Sequence, residues 1–400
     1  MIVLKIAVVF AVIMIAFHFK RPLWQSMLIG AAAILLLFWM NPLVLVDAVK
    51  NTCASYTTWQ LILAMIFITF LQRILEKREQ LKLAVDSMNG LFQDRRINAA
   101  VASACLGMLP SAAVVTVAGE IIDDTAGDSL TNEEKATCAT YFRHIPESFV
   151  PTFTVILLGC SLSGISISQF LLAFFPMVIA LFVLGFFFYL RKIPKHNAEL
   201  SGKKSEHLLN LFKSLWSILL IILLIMAFNM DVVLAVLIVC VLALIVYKVN
   251  WGEIVTFAKN SVDITLLLGI FTVFLFMNVM GRAGIIAALP DLFSKLPLPA
   301  WLTFALLFFV GSIVAGSQAV IAAFIPLAFS TVANAGVPLF VLLMGMTYAA
   351  MQLSPTHVCV AIAAEYFHVT MGDVFKKTAP IIACFFVILV GYYLLLGLFL

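Results

Sequence analysis

An all-α, polytopic membrane protein built from two inverted five-helix repeats is the fold class this sequence predicts, on three observations. Hydrophobic residues make up 64% of the 400 positions and charged ones 11%, with a mean hydropathy of +1.14; a soluble core with a solvated skin does not have that balance. Apolar runs of the roughly 20 residues needed to cross a bilayer core of about 30 Å recur along the whole chain. Prolines and small polar residues interrupt such runs at four places, two in each half, and the places correspond.

Ten full crossings are predicted, over 2–19, 23–40, 57–75, 134–160 and 166–190 in the first half and 212–230, 231–249, 262–281, 338–368 and 378–399 in the second. The first is a retained helix, because no small-residue cleavage site follows it and the next residues are His18-Phe19-Lys20-Arg21. Two more apolar stretches, 97–122 and 300–332, are too polar at their centres to cross once, and read as re-entrant hairpins that enter and leave on one side. Ahead of the first hairpin, Glu76 to Phe92 carries Leu81, Leu83, Ala84, Val85, Met88 and Leu91 among charges and reads as an amphipathic surface helix, with a counterpart at Ala283 to Ser294. The Lys-rich stretch 191–211 is the long polar linker between a first unit, 1–190, and a second, 212–400. Five crossings is an odd number, so a unit repeated in tandem inserts upside down the second time.

Charge fixes the expected orientation. With Met1 outside, the segments 18–22, 73–98, 121–135, 191–213, 248–259 and 369–378 fall in the cytoplasm and hold 19 of the 24 Lys and Arg residues. Lys5, Lys50, Arg282 and Lys295 fall outside and Arg143 inside the bilayer. Trp24, Trp39, Trp59, Trp216, Trp251 and Trp301 all land at expected interfaces, as an aromatic belt requires. A multi-pass protein of the inner (plasma) membrane with both termini outside is the expectation, its surroundings lipid and not nucleic acid.

The four interruptions are Leu109-Pro110-Ser111-Ala112 and Arg143-His144-Ile145-Pro146-Glu147-Ser148 in the first half, and Ala315-Gly316-Ser317-Gln318 and Gln352-Leu353-Ser354-Pro355-Thr356-His357 in the second. Ser111 and Ser317 are 206 residues apart and Pro146 and Pro355 are 209 apart, so both pairs fit one register. Tyr141-Phe142-Arg143 likewise faces Tyr348-Ala349-Ala350 within about two positions. Proline removes an amide donor and clashes with the preceding turn, so the helix ends and restarts with free carbonyls on one side and free amides on the other. In lipid these are tolerated against protein or a water-filled cavity. Helices restarting near Ser111, Ser148, Ser317 and Thr356 would aim positive dipole ends at the midplane. The hydroxyls of those residues and of Ser354, with the Gln318 amide, add donors that suit a carboxylate or another small oxyanion. Pro110, Ala112, Pro146, Gly316 and Pro355 shape that substrate site.

Ionisable residues at membrane depth are functional candidates. Arg143 is placed to attract the anion, with His144, Glu147 or His357 as the proton-exchanging group; the competing reading has Arg143 and Glu147 neutralising one another to hold the break together. Asp263 and Glu365 read as interfacial, and Asp123, Asp124 and Asp128 as a solvated loop. Cys53, Cys105, Cys138, Cys160, Cys240, Cys359 and Cys384 are scattered without metal-site spacing and read as buried thiols. Gly202-Lys203-Lys204-Ser205 lacks the upstream glycine of a phosphate loop. With no His-Glu-x-x-His and no nucleophile arrangement, the chain does not read as an enzyme and calls for no cofactor or bound metal.

The element order, the tip Gly107-Met108-Leu109-Pro110-Ser111 and the breaks Arg143-His144-Ile145-Pro146-Glu147 and Leu353-Ser354-Pro355-Thr356-His357-Val358-Cys359 resemble an uncharacterised integral-membrane family of the ion-transporter superfamily, whose relatives include dicarboxylate and citrate symporters, gluconate and lactate permeases and sodium/proton antiporters. The resemblance covers nearly the whole chain and implies a homodimer in which hairpins and broken helices move as an elevator against a scaffold. Where the dicarboxylate symporters carry Ser-Asn-Thr triplets, this chain has Pro110-Ser111-Ala112 and Gly316-Ser317-Gln318. The expected function is secondary active transport of a small organic anion, coupled to protons or to a sodium ion near Ser111 and Ser317. A sodium/proton antiporter using Glu147, His144 and Glu365 is the nearest alternative, and a channel or membrane-embedded enzyme a remote one.

Overall fold

Helices carry almost all of the chain in its computed structural model, which describes residues 2–19, 21–80, 82–84, 87, 94–108, 114–195, 204–286, 297–355 and 357–399. The first half runs α1 Ile2–His18, α2 Leu23–Leu37, α3 Leu43–Ala54, α4 Tyr56–Lys77, α5 Arg95–Gly107, α6 Val114–Ala126, α7 Asn132–His144, α8 Thr154–Ser163 and α9 Ile167–Phe188. The second runs α10 Lys204–Phe228, α11 Val232–Val246, α12 Trp251–Asn260, α13 Ile264–Arg282, α14 Ala300–Ala315, α15 Ser317–Thr331, α16 Val337–Met351, α17 Val358–Tyr366 and α18 Met371–Phe399. Among the described residues, five stretches, over α4, α9, α10, α13 and α18, are long and apolar enough to cross a membrane.

Local chemistry starts these helices where they start. Ser55 caps α4 by accepting from the Thr58 amide, and Asp231 caps α11 by accepting from Val233 and Leu234. Thr131 with Glu134, Ser166 with Gln169 and Asn250 with Glu253 form capping boxes at α7, α9 and α12, each satisfying amides that have no partner inside the helix. Prolines 176, 326 and 380 lie inside α9, α15 and α18 without ending them; each removes one backbone bond, which a packed membrane helix tolerates.

Several boundaries differ from the sequence expectation. Residues 43–54 and 251–260, expected as connecting segments, form the short helices α3 and α12. Helices α2 and α11 have 15 residues each, about 22 Å at roughly 1.5 Å per residue, shorter than the crossings expected there. Helix α18 begins at Met371, seven residues before its expected start. The two broken crossings are each split as expected: α7 passes into a 3-10 turn at Ile145–Ser148 before α8, and α16 is separated from α17 by Gln352–His357. The two hairpin stretches are each a pair of packed helices, α5 on α6 and α14 on α15. Most of the expected surface helices, 81, 85, 86, 88–92 and 287–294, and residues 196–203 of the linker lie outside the described residues.

Packing partners come in reciprocal sets. Helix α2 packs on α13 and α11 on α4; α6 on α17 and α15 on α8; α7 on α18 and α16 on α9; α3 on α13 and α12 on α4. Ion pairs follow suit: Arg78 beyond α4 holds Glu253 on α12 at 2.9 Å, and Arg282 at the end of α13 approaches Asp47 on α3 at 3.8 Å. The centre of the molecule is α7, buried from Glu134 to His144, and α16, buried from Leu339 to Ala350. Polar groups inside α7 are satisfied locally, with Thr137 and Thr140 donating to Glu133 and Ala136 carbonyls one turn back.

Candidate functional site

The two breaks meet one another in space. His144, at the end of α7, and His357, just before α17, place their Nε2 atoms 2.7 Å apart with the rings edge to face. Arg143 is 3% exposed; its Nη1 donates to Glu147 Oε1 at 2.9 Å and to Cys359 Sγ at 3.2 Å. Charge is therefore neutralised within the first break, and the guanidinium also ties that break to α17. Gly107 ends α5 against this corner: a Cβ there would lie 1.8 Å from the Arg143 carbonyl oxygen, so only glycine allows the approach.

The second hairpin supplies the other wall. Gly316, with φ of 84°, turns the chain between α14 and α15 in a conformation glycine adopts without a Cβ penalty. Helix α15 then starts at Ser317 with first-turn amides directed outward. Ser354 donates to the Ile313 carbonyl at 3.0 Å, pinning the second break to the last turn of α14, while Gln352 donates to the Tyr348 hydroxyl at 2.9 Å.

Two cavities flank the Gly316–Gln318 tip. The larger, about 440 Å³, is lined by Arg21, Ser312, Ser317, Gln318, Ser354 and His357 among others. The smaller, about 160 Å³, is lined by Glu147, Ser148, Ser317, Gln318, Thr347 and Tyr348 among others. Ser317, Gln318 and Met351 border both.

Among the expected site residues, Gly316, Ser317, Gln318, Ser354, His357, Glu147 and Ser148 line a cavity. Arg143, His144 and Pro146 are buried behind the wall and Pro355 is exposed. Pro110, Ser111, Ala112 and Thr356 lie outside the described residues. Ser148 Oγ donates to the Ile145 carbonyl at 2.6 Å. Asp123, expected in a solvated loop, pairs with Lys135 at 2.7 Å. Sequence reasoning did not single out Arg21 or Cys359. A cation in the turn after α1 looks like an orientation signal, and Cys359 had only its spacing of two from His357 to distinguish it.

His144, His357 and Cys359 hold their ligand atoms within 4.8 Å of one another, the one such group of three among the described residues. The two imidazoles already bond to each other, and Arg143 donates to the sulfur, so a positive charge faces the place a cation would take.

The fold has a solved likeness. The chain superposes on the YdaH transporter of Alcanivorax borkumensis with a TM-score of 0.58 at 12% identity, covering 88% of this chain and 86% of that one. No curated protein matches the sequence. The likeness and the apolar helices make this a multi-pass membrane protein with a transporter's fold. Residues 3–396 match a family described as protein of unknown function, DUF401, and the chain belongs to that family.

Proposed function

We propose that the chain is a secondary active transporter of a small organic anion of the carboxylate class, with the Gly316–Gln318 tip forming the barrier between two aqueous chambers. The observation that carries this reading is the pair of cavities sharing Ser317 and Gln318, one reaching Arg21 and His357 and the other Glu147 and Ser148. Alternating access needs such an element with space on both sides, and the α15 N-terminus at the shared wall favours an anion. The reciprocal packing partners and ion pairs support two inverted repeats, 1–190 and 212–400, joined by the 191–211 linker. Helices α5 and α14, about 20 and 24 Å long by their 13 and 16 residues, fit arms of re-entrant hairpins. A place in the ion-transporter superfamily, a homodimer and elevator motion belong to the same proposal.

The His144–His357 bond joins the two breaks directly and is the proposed proton-coupling element. A proton taken by either ring leaves a charge shared across that bond, so movement of one break relative to the other would change proton affinity. Arg143 and Glu147 act here as a positioning pair that holds the first break. The sodium/proton antiporter reading has less support, because Glu365 is exposed on α17 and lines neither cavity. Thermal unfolding of the purified chain against carboxylates, sugar acids and inorganic oxyanions, with and without sodium at two pH values, tests the proposal. Stabilisation by an organic anion, lost in Ser317→Val and Gln318→Leu, is expected; stabilisation by sodium alone with no response to any anion would overturn it.

A further inference from the structure

The larger cavity has a chemical character of its own, and the geometry points to Arg21 as the residue that fixes the charge of its ligand: the site takes a monocarboxylate with a short apolar body, its carboxylate held between Arg21 and the first turn of α15. This rests on the anion-transporter reading and sharpens it.

Three observations carry the inference. Arg21, in the turn between α1 and α2, lines the cavity, and its guanidinium has no ion-pair or hydrogen-bond partner among the described residues. Arg143 is held by Glu147, and among the described residues no other Lys or Arg and no carboxylate lines this cavity. The hydroxyl of Ser312, a residue 1% exposed on the last turns of α14, has no partner among the described residues although it lines the same space. A buried hydroxyl left unmatched is costly, and a ligand oxygen would satisfy it together with the free amides at Ser317.

The remaining lining decides the rest of the ligand. Phe17, Leu23, Met351, Ala315 and Ala319 supply the apolar part of the lining. A second carboxylate would meet no second Lys or Arg among the described lining residues, and His357 is already bonded to His144; burying an unpaired charge is disfavoured. One guanidinium, presenting donors in a fixed fork, suits one carboxylate. The volume of about 440 Å³ lies within the usual range for small-molecule sites.

Titration calorimetry of the full-length chain in detergent with butyrate, succinate and butyramide tests this. Butyrate should bind, succinate at least roughly tenfold more weakly, and butyramide not detectably, since a charge-assisted bond is lost. Arg21→Gln should weaken butyrate roughly tenfold or more while Arg21→Lys recovers part of the affinity, in variants whose melting temperatures match the parent. Equal butyrate affinity in Arg21→Gln and the parent, with affinity lost in Ser317→Val, would overturn the role of Arg21 and leave the transporter reading standing. Succinate binding as tightly as butyrate, or butyramide binding as well as either, would overturn the monocarboxylate assignment. A parent that binds neither acid also overturns it, whereas the transporter reading stands or falls on the wider anion panel.

Discussion

Arg143 brings a full charge to the buried last turn of α7, and its environment sets what its removal should do. With Glu147 as its carboxylate partner and Cys359 as its second acceptor, loss of either member of the pair leaves a buried charge uncompensated, which costs about 3–5 kcal/mol. Arg143→Gln and Glu147→Gln should each lower stability by about that amount, and the double variant should lose less than either alone. Denaturant unfolding in detergent measures it, and strictly additive losses would mean the pair does not act as a unit. At Gly107 an added methyl meets the Arg143 carbonyl, so Gly107→Ala should lower stability by at least the roughly 1–3 kcal/mol typical of overpacking, read as a lower melting temperature. An unchanged melting temperature would show that α5 does not press on that corner. Gly316, Ser317, Gln318, Ser354 and the Arg143–Glu147 segment were legible in the sequence because polar and helix-breaking residues stand out in apolar runs. Cys359 and Arg21 were not, since each matters through a partner or a cavity assembled by residues far along the chain; Arg143 and Cys359 are 216 positions apart.

At the level of elements, the breaks and the packed helix pairs on either side of the polar interruptions were read from local sequence, and the two short helices were not. Helix α12 announces itself with Asn250 and Glu253 in capping-box spacing, a signal the dominant hydropathy pattern hides. Helix α3 is marked too, by Asn41 accepting from the Leu43 amide with Pro42 at the helix start, but it buries only Ala48 and Thr52, and the apolar pattern around it gives it no amphipathic face to read. Both matter because they carry the acidic partners of the reciprocal ion pairs, Asp47 and Glu253. Hydrogen bonds from Arg78, with the Asn250 amide, hold the Glu253 carboxyl below the ordinary carboxylate range. A carboxyl lowered in the folded state adds stability that is present above its unfolded value and is lost as pH falls through the folded one. The parent should therefore melt above Glu253→Gln at pH 7, and the two curves should converge on acidification below about pH 4. A gap that persists unchanged in acid would exclude the ion pair as its source. The partners in these pairs could not be read from one half alone, because each pair joins the two.

Across the whole molecule, nine described helices stand in each half, packing partners are exchanged between the halves, and the proposed repeat rests on these together with the offsets of 206 and 209. The ion pairs have similar offsets, with Arg78 and Arg282 separated by 204 positions and Asp47 and Glu253 by 206. Hydropathy could suggest such an arrangement but could not say which helices meet, because lipid-facing and partner-facing surfaces are equally apolar. Orientation rests on the basic residues, and it predicts that a cysteine at Ser201 resists impermeant thiol reagents in intact cells once native thiols are controlled for; ready labelling would reverse the topology. Uptake of a labelled organic anion into proteoliposomes, comparing the parent with Gln318→Leu and Ser317→Val of matched melting temperature between pH 5.5 and 8, tests most directly whether the hairpin tip is the transport barrier. Saturable, pH-dependent uptake by the parent, reduced roughly tenfold or more in both variants, is the predicted result. Full uptake in both variants would contradict it, placing the path of the anion away from the tip that the two cavities share.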